Sequence, residues 1–215
     1  MVTLVEIHAD WRVQLDQGLQ ALRLGFNEAQ REQLLGYLGL LARWNRAYNL
    51  TAVRDPAIMV RRQLLDSLSI LPWVDEGPIL DVGTGAGLPG IPLSIARPDL
   101  NFSLLDTNGK KTRFVKQVVG ELGLANVEVV KSRIEQLDRP CHYRRITSRA
   151  FSSLADMVSK SQHLLAPDGY WLAMKGSSAQ KERDDLPEML GVKTVALQVP
   201  GEPGSRHLVI LGRGG

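Results

Sequence analysis

The sequence feature that most constrains the fold is an apolar run that leads directly into closely spaced glycines. Residues 79–90 read ILDVGTGAGLPG. Such a segment is typical of a β-strand that enters a tight turn and is followed by a helix. Glycine permits the backbone conformations of the turn and lets the main chain approach a ligand closely. The segment therefore predicts a strand–loop–helix unit with a ligand at the loop.

From residue 78 onward, short apolar runs alternate with amphipathic segments, which is the pattern of a parallel sheet covered by helices. The six residues 200–205 are too few for a crossover helix, so the strands on either side of them must pair antiparallel. We predict an α/β fold with a doubly wound, mostly parallel seven-stranded sheet and an antiparallel last strand. The predicted strands are 79–83, 102–106, 127–130, 145–150, 169–174, 192–199 and 206–212, and the predicted helices of this part are 88–96, 109–122, 153–165 and 178–189.

The first third of the chain is predicted to be helical. Asn27 followed by Gln30 resembles a capping box. Asp55 before Pro56 is a strong helix start, and we expect that helix to end near Pro72. The sequence therefore predicts a helical N-terminal region, residues 1–74, and a cofactor-binding domain, residues 75–215.

The glycines fit two cofactor-binding patterns. The dinucleotide pattern is matched by Gly85, Gly87 and Gly90, with Asp106 at a suitable distance to hold a ribose. The acid-x-G-x-G-x-G loop of S-adenosylmethionine methyltransferases is matched by Asp81, Gly83, Gly85 and Gly87.

Three features favour the methyltransferase pattern. The glycine that closes the strand is Gly83, a position that only this pattern uses. A carboxylate at Asp81 suits an amino-acid ammonium group and would repel a pyrophosphate. The antiparallel final hairpin is a hallmark of the methyltransferase variant of the fold. We therefore predict that S-adenosylmethionine is the cofactor, that Asp106 binds its ribose or caps the next helix, and that residues 132–135 contact its adenine.

Positive charge is concentrated in two parts of the chain, although the net charge is only +3. Residues 110–149 contain ten basic and four acidic side chains, and residues 43–62 contain five basic and one acidic. Such clusters attract phosphate backbones, or they form a solvated surface. Charge alone does not distinguish RNA, DNA and other acidic surfaces. For an RNA partner, we predict phosphate contacts at Lys110, Lys111, Arg113, Arg149 and Lys175.

Composition argues against several other classes. The single cysteine, Cys141, excludes an internal disulfide and suits a reducing compartment, so we expect a cytoplasmic protein. The four histidines are scattered, and none pairs with Cys141 at metal-ligand spacing, so no metal site is predicted. No run of residues is apolar enough to predict a membrane span.

Two features that other methyltransferases use are missing or misplaced in this sequence, which limits the atoms that could accept the methyl group. Residues 148–152 read SRAFS and lack the (Asn/Asp)-Pro-Pro-aromatic motif that grips an exocyclic amine. Cys141 precedes the fourth strand, on the wrong side of the sheet for a covalent pyrimidine mechanism. Guanine N7 is the most plausible acceptor left, because its lone pair carries no proton and needs no general base. We therefore predict no catalytic side chain.

The chain resembles the 16S ribosomal RNA guanine-N7 methyltransferase G family, also called glucose-inhibited division protein B. The matching stretches lie in order along the chain: 44–45 (WN), 48–51 (YNLT), 66–67 (DS), 81–93 (DVGTGAGLPGIPL), 104–106 (LLD), 148–151 (SRAF), 175–176 (KG) and 206–209 (RHLV). The resemblance implies a helical region packed on a cofactor domain, and methylation of one guanine in 16S RNA or in the small ribosomal subunit. It also implies cofactor contacts at Gly83, Leu88, Ile134, Glu135 and Arg149.

One position departs from the family pattern. The family often has Arg-His-x-x-Asp-Ser in the second N-terminal helix, whereas this chain has Gln63 in place of the histidine. We therefore assign no acid–base role there. Two other functions stay open at this point: a methyltransferase for another nucleic acid or a small molecule, and a non-catalytic RNA-binding assembly factor.

Overall fold

The computed structural model describes residues 9–149, 151, 153–177, 182, 186 and 190–213. Its α-helices are α1 (Ala9–Ala21), α2 (Glu28–Tyr48), α3 (Pro56–Met59), α4 (Asp66–Leu68), α5 (Gly90–Ala96), α6 (Gly109–Leu122) and α7 (Leu154–Ser161). A π-helical segment, Val60–Leu65, joins α3 to α4, and short 3-10 turns lie at Leu71–Trp73 and Ile134–Gln136. The strands are β1 (Ile79–Val82), β2 (Phe102–Asp106), β3 (Val127–Lys131), β4 (Tyr143–Ser148), β5 (Leu165–Lys175), β6 (Leu190–Leu197) and β7 (Arg206–Arg213).

The strands form one sheet in the order β3-β2-β1-β4-β5-β7-β6. The pairs from β3 to β5 are parallel, and β7 runs antiparallel to both of its neighbours. The predicted doubly wound sheet with an antiparallel last strand is therefore confirmed. The strand order reverses between β1 and β4, which is where such sheets bind ligands.

Side chains of each strand alternate between two apolar layers. On β5, Leu172 and Met174 face the layer that contains α2, α5, α6 and the N-terminal helices. Trp171 and Ala173 face the opposite layer, which contains α7. This alternation follows from the two-residue period of a strand. The helical N-terminal region and one face of the sheet thus share a single hydrophobic core.

Two helix starts in the N-terminal region, those of α2 and α3, lie where the sequence predicts them. The side chain of Asn27 accepts a hydrogen bond from the Gln30 amide, and the Gln30 side chain accepts one from the Asn27 amide, which completes the capping box. Asp55 caps α3, with Pro56 in its first turn. No helix in the described part of the chain is both long and apolar enough to cross a membrane.

Several predicted boundaries are wrong by a few residues. Helix α7 ends at Ser161 and β5 begins at Leu165, because residues 162–164 form a turn. The pairing of β4 with β5 shifts at a bulge, so that residues 165–170 of β5 lie opposite residues 143–145. Apart from residues 182 and 186, the predicted helix 178–189 lies outside the described residues.

Candidate active site

The carboxyl ends of β1, β2 and β4 meet at one edge of the sheet, which we call the ligand edge. The glycine loop, residues 83–89, follows β1 and leads into α5. Parallel strands bring the segments that follow them to the same edge, so the loop, Asp106 and Arg149 come together there. The sequence-predicted cofactor residues are thereby gathered around the point where the strand order reverses.

The glycine loop needs glycine for its backbone geometry. Gly83, Gly85 and Gly87 have φ angles of 66°, 61° and 90°, in the left-handed region that favours glycine. These are the three glycines of the methyltransferase pattern. A Cβ placed on Gly83 would meet no atom within 4 Å, so this position borders open space at the ligand edge.

A hydrogen bond from the N-terminal helices holds the glycine loop in place. The Tyr37 hydroxyl of α2 donates a hydrogen bond of 2.9 Å to the Ala86 carbonyl. Tyr37 is fully buried, and burial raises its pKa, so the hydroxyl stays protonated. The helical region therefore takes part in positioning the cofactor loop.

Asp106 organises the loop from β2. Its Oδ2 accepts a hydrogen bond of 2.8 Å from the Gly85 amide, and its Oδ1 accepts one of 2.8 Å from the Asn108 amide. Asn108 caps α6 by accepting from the amides of Lys110 and Lys111. Asp106 is therefore not the helix cap, and its carboxylate remains at the crevice with lone pairs for further donors.

Asp81 lies fully buried beneath the loop. Its Oδ2 accepts hydrogen bonds from the Thr84 hydroxyl (2.6 Å) and from the Gly90 amide (2.9 Å). Its buried Oδ1 accepts none from the described residues. Burial raises the pKa of Asp81 to about 6, although the hydrogen bonds and the nearby Arg149 oppose the shift. A cation bound at the loop would favour the ionised carboxylate.

Cofactor affinity should therefore fall as the pH drops through about 6. The ionised form of Asp81 attracts an ammonium group and the protonated form does not, so binding should release a proton in this range. Calorimetry of S-adenosylhomocysteine at pH 7.5 and pH 5 measures the effect, and Asp81→Asn should flatten it. An equal pH dependence in the Asp81→Asn variant would assign it to another group.

A cavity of about 410 Å³ opens beside Gly83 and Asp106, and we call it the Asp106 cavity. Its wall includes two other predicted cofactor residues, Ile134 and Glu135. These residues suit an adenosine group. The Asp106 carboxylate can accept from ribose hydroxyls, Ile134 offers an apolar surface for the base, and Gly83 has no Cβ to block the approach. The residues at this site fit the predicted cofactor, S-adenosylmethionine.

Four residues of the loop region that were predicted to bind the cofactor do not line the Asp106 cavity: Asp81, Gly85, Gly87 and Leu88. Leu88 is buried in the hydrophobic core, and Gly87 packs so closely on Ile91 that a Cβ would lie 2.6 Å from its Cγ1. Both residues shape the loop. Gly85 binds Asp106 through its amide, as described above.

Among the residues of the Asp106 cavity that the sequence did not predict are Thr107, Phe151 and Lys160. The Lys160 ammonium lies 6.0 Å from the centre of the Phe151 ring. Lys160 is in the last turn of α7, and the sequence offers no signal that this helix end reaches the cavity. Thr107 could have been found, because it directly follows Asp106 at the end of β2.

Arg149 lines a second cavity of about 300 Å³, which we call the Arg149 cavity. Its guanidinium donates to the Gln63 side chain (3.1 Å) and to the Arg62 carbonyl (3.2 Å), and it lies 3.5 Å from the Asp66 carboxylate. All three partners belong to the π-helical segment or to the residue that follows it. Arg149 thereby joins the end of β4 to the N-terminal helices.

Two carboxylates hold several arginines around the Arg149 cavity. Asp66 pairs with Arg206 (3.0 Å) as well as with Arg149. Glu202 pairs with Arg62 at 3.0 Å, which holds the pKa of Glu202 below its usual range. The carboxylates are almost fully buried, whereas the guanidinium groups are partly exposed. The cavity therefore presents donors and positive charge.

Lys175 was predicted to contact phosphate, and the structure shows what its ammonium already binds. The side chain is only 9% exposed and pairs with Glu182 at 2.8 Å. It also donates to the Phe151 carbonyl at 3.1 Å. Lys175 lines the Arg149 cavity, so a phosphate there would share the ammonium with Glu182.

The start of α6 brings basic side chains to the ligand edge. Lys110 and Arg113 are exposed, and Lys111 is partly exposed. The Lys111 ammonium nitrogen lies 3.9 Å from the position that a Cβ on Gly85 would take. The first turn of α6 is thus adjacent to the cofactor loop. In the described part of the chain, no group of three or more His, Cys, Asp or Glu residues is placed to hold a metal ion.

Comparison with known proteins places the chain in a family. The family described as rRNA small subunit methyltransferase G matches residues 30–209. A ribosomal RNA small subunit methyltransferase G from Marinobacter nauticus is 52% identical over 207 residues, which cover 96% of this chain and 97% of that protein. One from Pseudomonas aeruginosa is 50% identical over 215 residues, with 99% of each chain covered.

Solved structures agree on the fold. An O-methyltransferase from Streptomyces achromogenes, in complex with S-adenosylmethionine, has a TM-score of 0.62 at 16% identity and covers 94% of this chain and 96% of its own. A methyltransferase from Aquifex aeolicus, described as dependent on S-adenosylmethionine, has a TM-score of 0.58 at 18% identity, with 76% and 96% covered. The chain has the fold of S-adenosylmethionine-dependent methyltransferases and belongs to the rRNA small subunit methyltransferase G family.

Proposed function

We propose that this protein transfers the methyl group of S-adenosylmethionine to N7 of a guanine in 16S ribosomal RNA, as naked RNA or within the small ribosomal subunit. Membership of the family supports a ribosomal RNA substrate. A ribosomal substrate also supports a cytoplasmic location. The choice of guanine N7 rests on the family resemblance and on the chemistry of the acceptor.

The observation that carries the proposal is the position of Arg149. It lines the cavity that presents donors, and its charge also acts on Asp81 beneath the cofactor loop. The methyl donor and an anionic RNA segment can therefore bind side by side at the ligand edge. The basic first turn of α6 lies at the same edge, which suits a polyanionic acceptor better than a small neutral one.

The chemistry requires positioning and no proton transfer from the enzyme. S-adenosylmethionine, when bound, would supply an electrophilic methyl group for N7, with neutral S-adenosylhomocysteine as the leaving group. Asp106, Ile134 and Glu135 would hold the adenosine part in the Asp106 cavity. Arg149 would fix the acceptor side. The N7 lone pair carries no proton, so no catalytic base is needed. Holding the reacting atoms in line contributes several kcal/mol to catalysis.

Methyl transfer from labelled S-adenosylmethionine tests the proposal directly. The acceptors are 16S RNA, small ribosomal subunits that lack the modification, and DNA. Digestion of the labelled product to nucleosides should give 7-methylguanosine from RNA or subunits and nothing from DNA. Label in another nucleoside, or in DNA alone, would refute the proposal.

Replacing Lys110, Lys111 and Arg113 together with alanine should weaken RNA binding. For every phosphate interaction that is removed, the slope of log affinity against log salt should decrease by up to about one unit. Affinity for S-adenosylhomocysteine should barely change, because these side chains do not line the Asp106 cavity. Filter binding across a salt series measures the effect.

Lys116→Ala is the matched control, because this lysine is exposed on the same helix, further from the ligand edge. It should leave the salt slope unchanged. Normal RNA binding by the triple variant at every salt concentration would show that the start of α6 is only a solvated surface.

A further inference from the structure

We infer that Tyr48 is a stacking platform for an unpaired base of the RNA, beside the guanine that is methylated. The inference rests on the proposed RNA substrate. Tyr48 ends α2 and is 49% exposed, although it is a large aromatic side chain. Its ring lies 5.2 Å from the Trp44 ring, centre to centre, and tilts 34° from it. Trp44 supports one side of the ring, and the exposed fraction leaves room for a base.

The packing of α2 on α6 brings Tyr48 to the ligand edge. Near the start of α2, Gln33 donates to the carbonyl of Leu122 at the end of α6. Further along, the Trp44 ring lies 5.6 Å from that of Phe114 in the first half of α6. The two helices therefore run antiparallel, and the end of α2 points toward the start of α6.

The start of α6 is the segment that carries Lys110 and Lys111 and adjoins the cofactor loop. Tyr48 thus lies at the rim of the crevice, on the side where phosphates are expected to bind. Exposed Arg46 in the last turn of α2 adds positive charge, whereas Arg43 pairs with Glu121 near the end of α6. Aromatic rings next to basic side chains are the usual means of binding single-stranded RNA.

The chain after Tyr48 leads to the Arg149 cavity. Asn49 ends the helix in the left-handed conformation, with φ 50°, and its side chain accepts a hydrogen bond from Arg54. The Thr51 hydroxyl accepts one of 2.9 Å from Gln63, which also binds Arg149. Tyr48 therefore stands between the basic start of α6 and the cavity proposed for the acceptor. An RNA strand that ran from the start of α6 into this cavity would pass the tyrosine ring.

A second exposed tyrosine provides a control on the same chain. Tyr170 of β5 is 44% exposed, and the Arg145 guanidinium lies 5.0 Å from its ring centre. Tyr170 pairs with Gly212 of β7. It lies five residues before the end of β5, and therefore away from the ligand edge, where that strand ends. Its exposure resembles that of Tyr48, but its position does not.

The test compares Tyr48→Ala, Tyr48→Phe and Tyr170→Ala. Binding of transcribed 16S RNA and methyl transfer to small subunits should weaken about 10- to 100-fold in Tyr48→Ala, as expected for the removal of one base stack. Tyr48→Phe keeps the ring and should behave like the wild type, as should Tyr170→Ala. All three variants should remain folded, and their affinity for S-adenosylhomocysteine should stay the same, because neither tyrosine lines the Asp106 cavity.

Wild-type RNA binding by Tyr48→Ala would overturn the inference. So would a Tyr48→Phe variant as weak as the alanine variant, because a hydroxyl contact and not stacking would then be responsible. These outcomes differ from a failure of the proposed function, in which the wild-type protein itself would transfer no methyl group to RNA.

Discussion

Replacing Asp106 with alanine should cost the protein about 1–3 kcal/mol of affinity for S-adenosylhomocysteine, the range for removing charge-assisted hydrogen bonds. The variant lacks the expected acceptor for the ribose hydroxyls. It also lacks the acceptor that holds the Gly85 amide at 2.8 Å, so the loop itself is loosened. Calorimetry on the folded variant measures the decrease, and methyl transfer at limiting cofactor should fall in parallel.

Two further variants sharpen this result. Asp106→Asn can still accept from the Gly85 amide but carries no charge, so it should fall between the wild type and the alanine variant. Asp138→Ala removes an exposed carboxylate that does not line the Asp106 cavity, and it should bind normally. Unchanged affinity in Asp106→Ala, with an unchanged melting temperature, would exclude the ribose role.

Arg149→Met should lower kcat/KM for methyl transfer by about 100-fold, because misplacement of the reacting groups by about 1 Å has an effect of this size. The substitution removes the link between the end of β4 and the segment that carries Gln63 and Asp66. Affinity for S-adenosylhomocysteine should fall as well, because Arg149 is expected to contact the cofactor. Single-turnover kinetics and calorimetry separate the two effects.

Arg206→Met distinguishes this role from a general loss of charge. Arg206 also pairs with Asp66 and lines the Arg149 cavity, but it is not among the expected cofactor contacts. Its removal should weaken RNA methylation and leave cofactor affinity intact. Equal cofactor affinity in the Arg149 and Arg206 variants would show that Arg149 serves only the acceptor side.

Local patterns predicted the features that are encoded within a few residues. The glycine loop, the capping box at Asn27 and the final hairpin each occupy a short stretch, so their geometry follows from the residues themselves. The bulge in β5 was missed, because Pro167, Asp168 and Gly169 are typical of a turn before a strand. Boundaries of this kind depend on which residues the neighbouring strand offers for pairing.

The Arg149 cavity could not be predicted, because its contacts join distant parts of the chain. Asp66 pairs with Arg149 and Arg206, which lie 83 and 140 residues further on. The π-helical segment also left no sequence signal, since Val60, Leu64 and Leu68 repeat at the spacing of an ordinary helix. The family resemblance pointed to Asp66 and Arg149 separately, but their pairing required the fold.

The hydrogen bond from Tyr37 to Ala86 connects α2 directly to the cofactor loop. Tyr37 holds the cofactor loop, and Tyr48, eleven residues further along the same helix, faces the proposed path of the RNA. A shift of α2 on contact with RNA would strain a buried hydrogen bond or move the loop with it. The affinities for the two ligands are then linked, and by thermodynamic reciprocity each ligand changes the affinity for the other by the same factor.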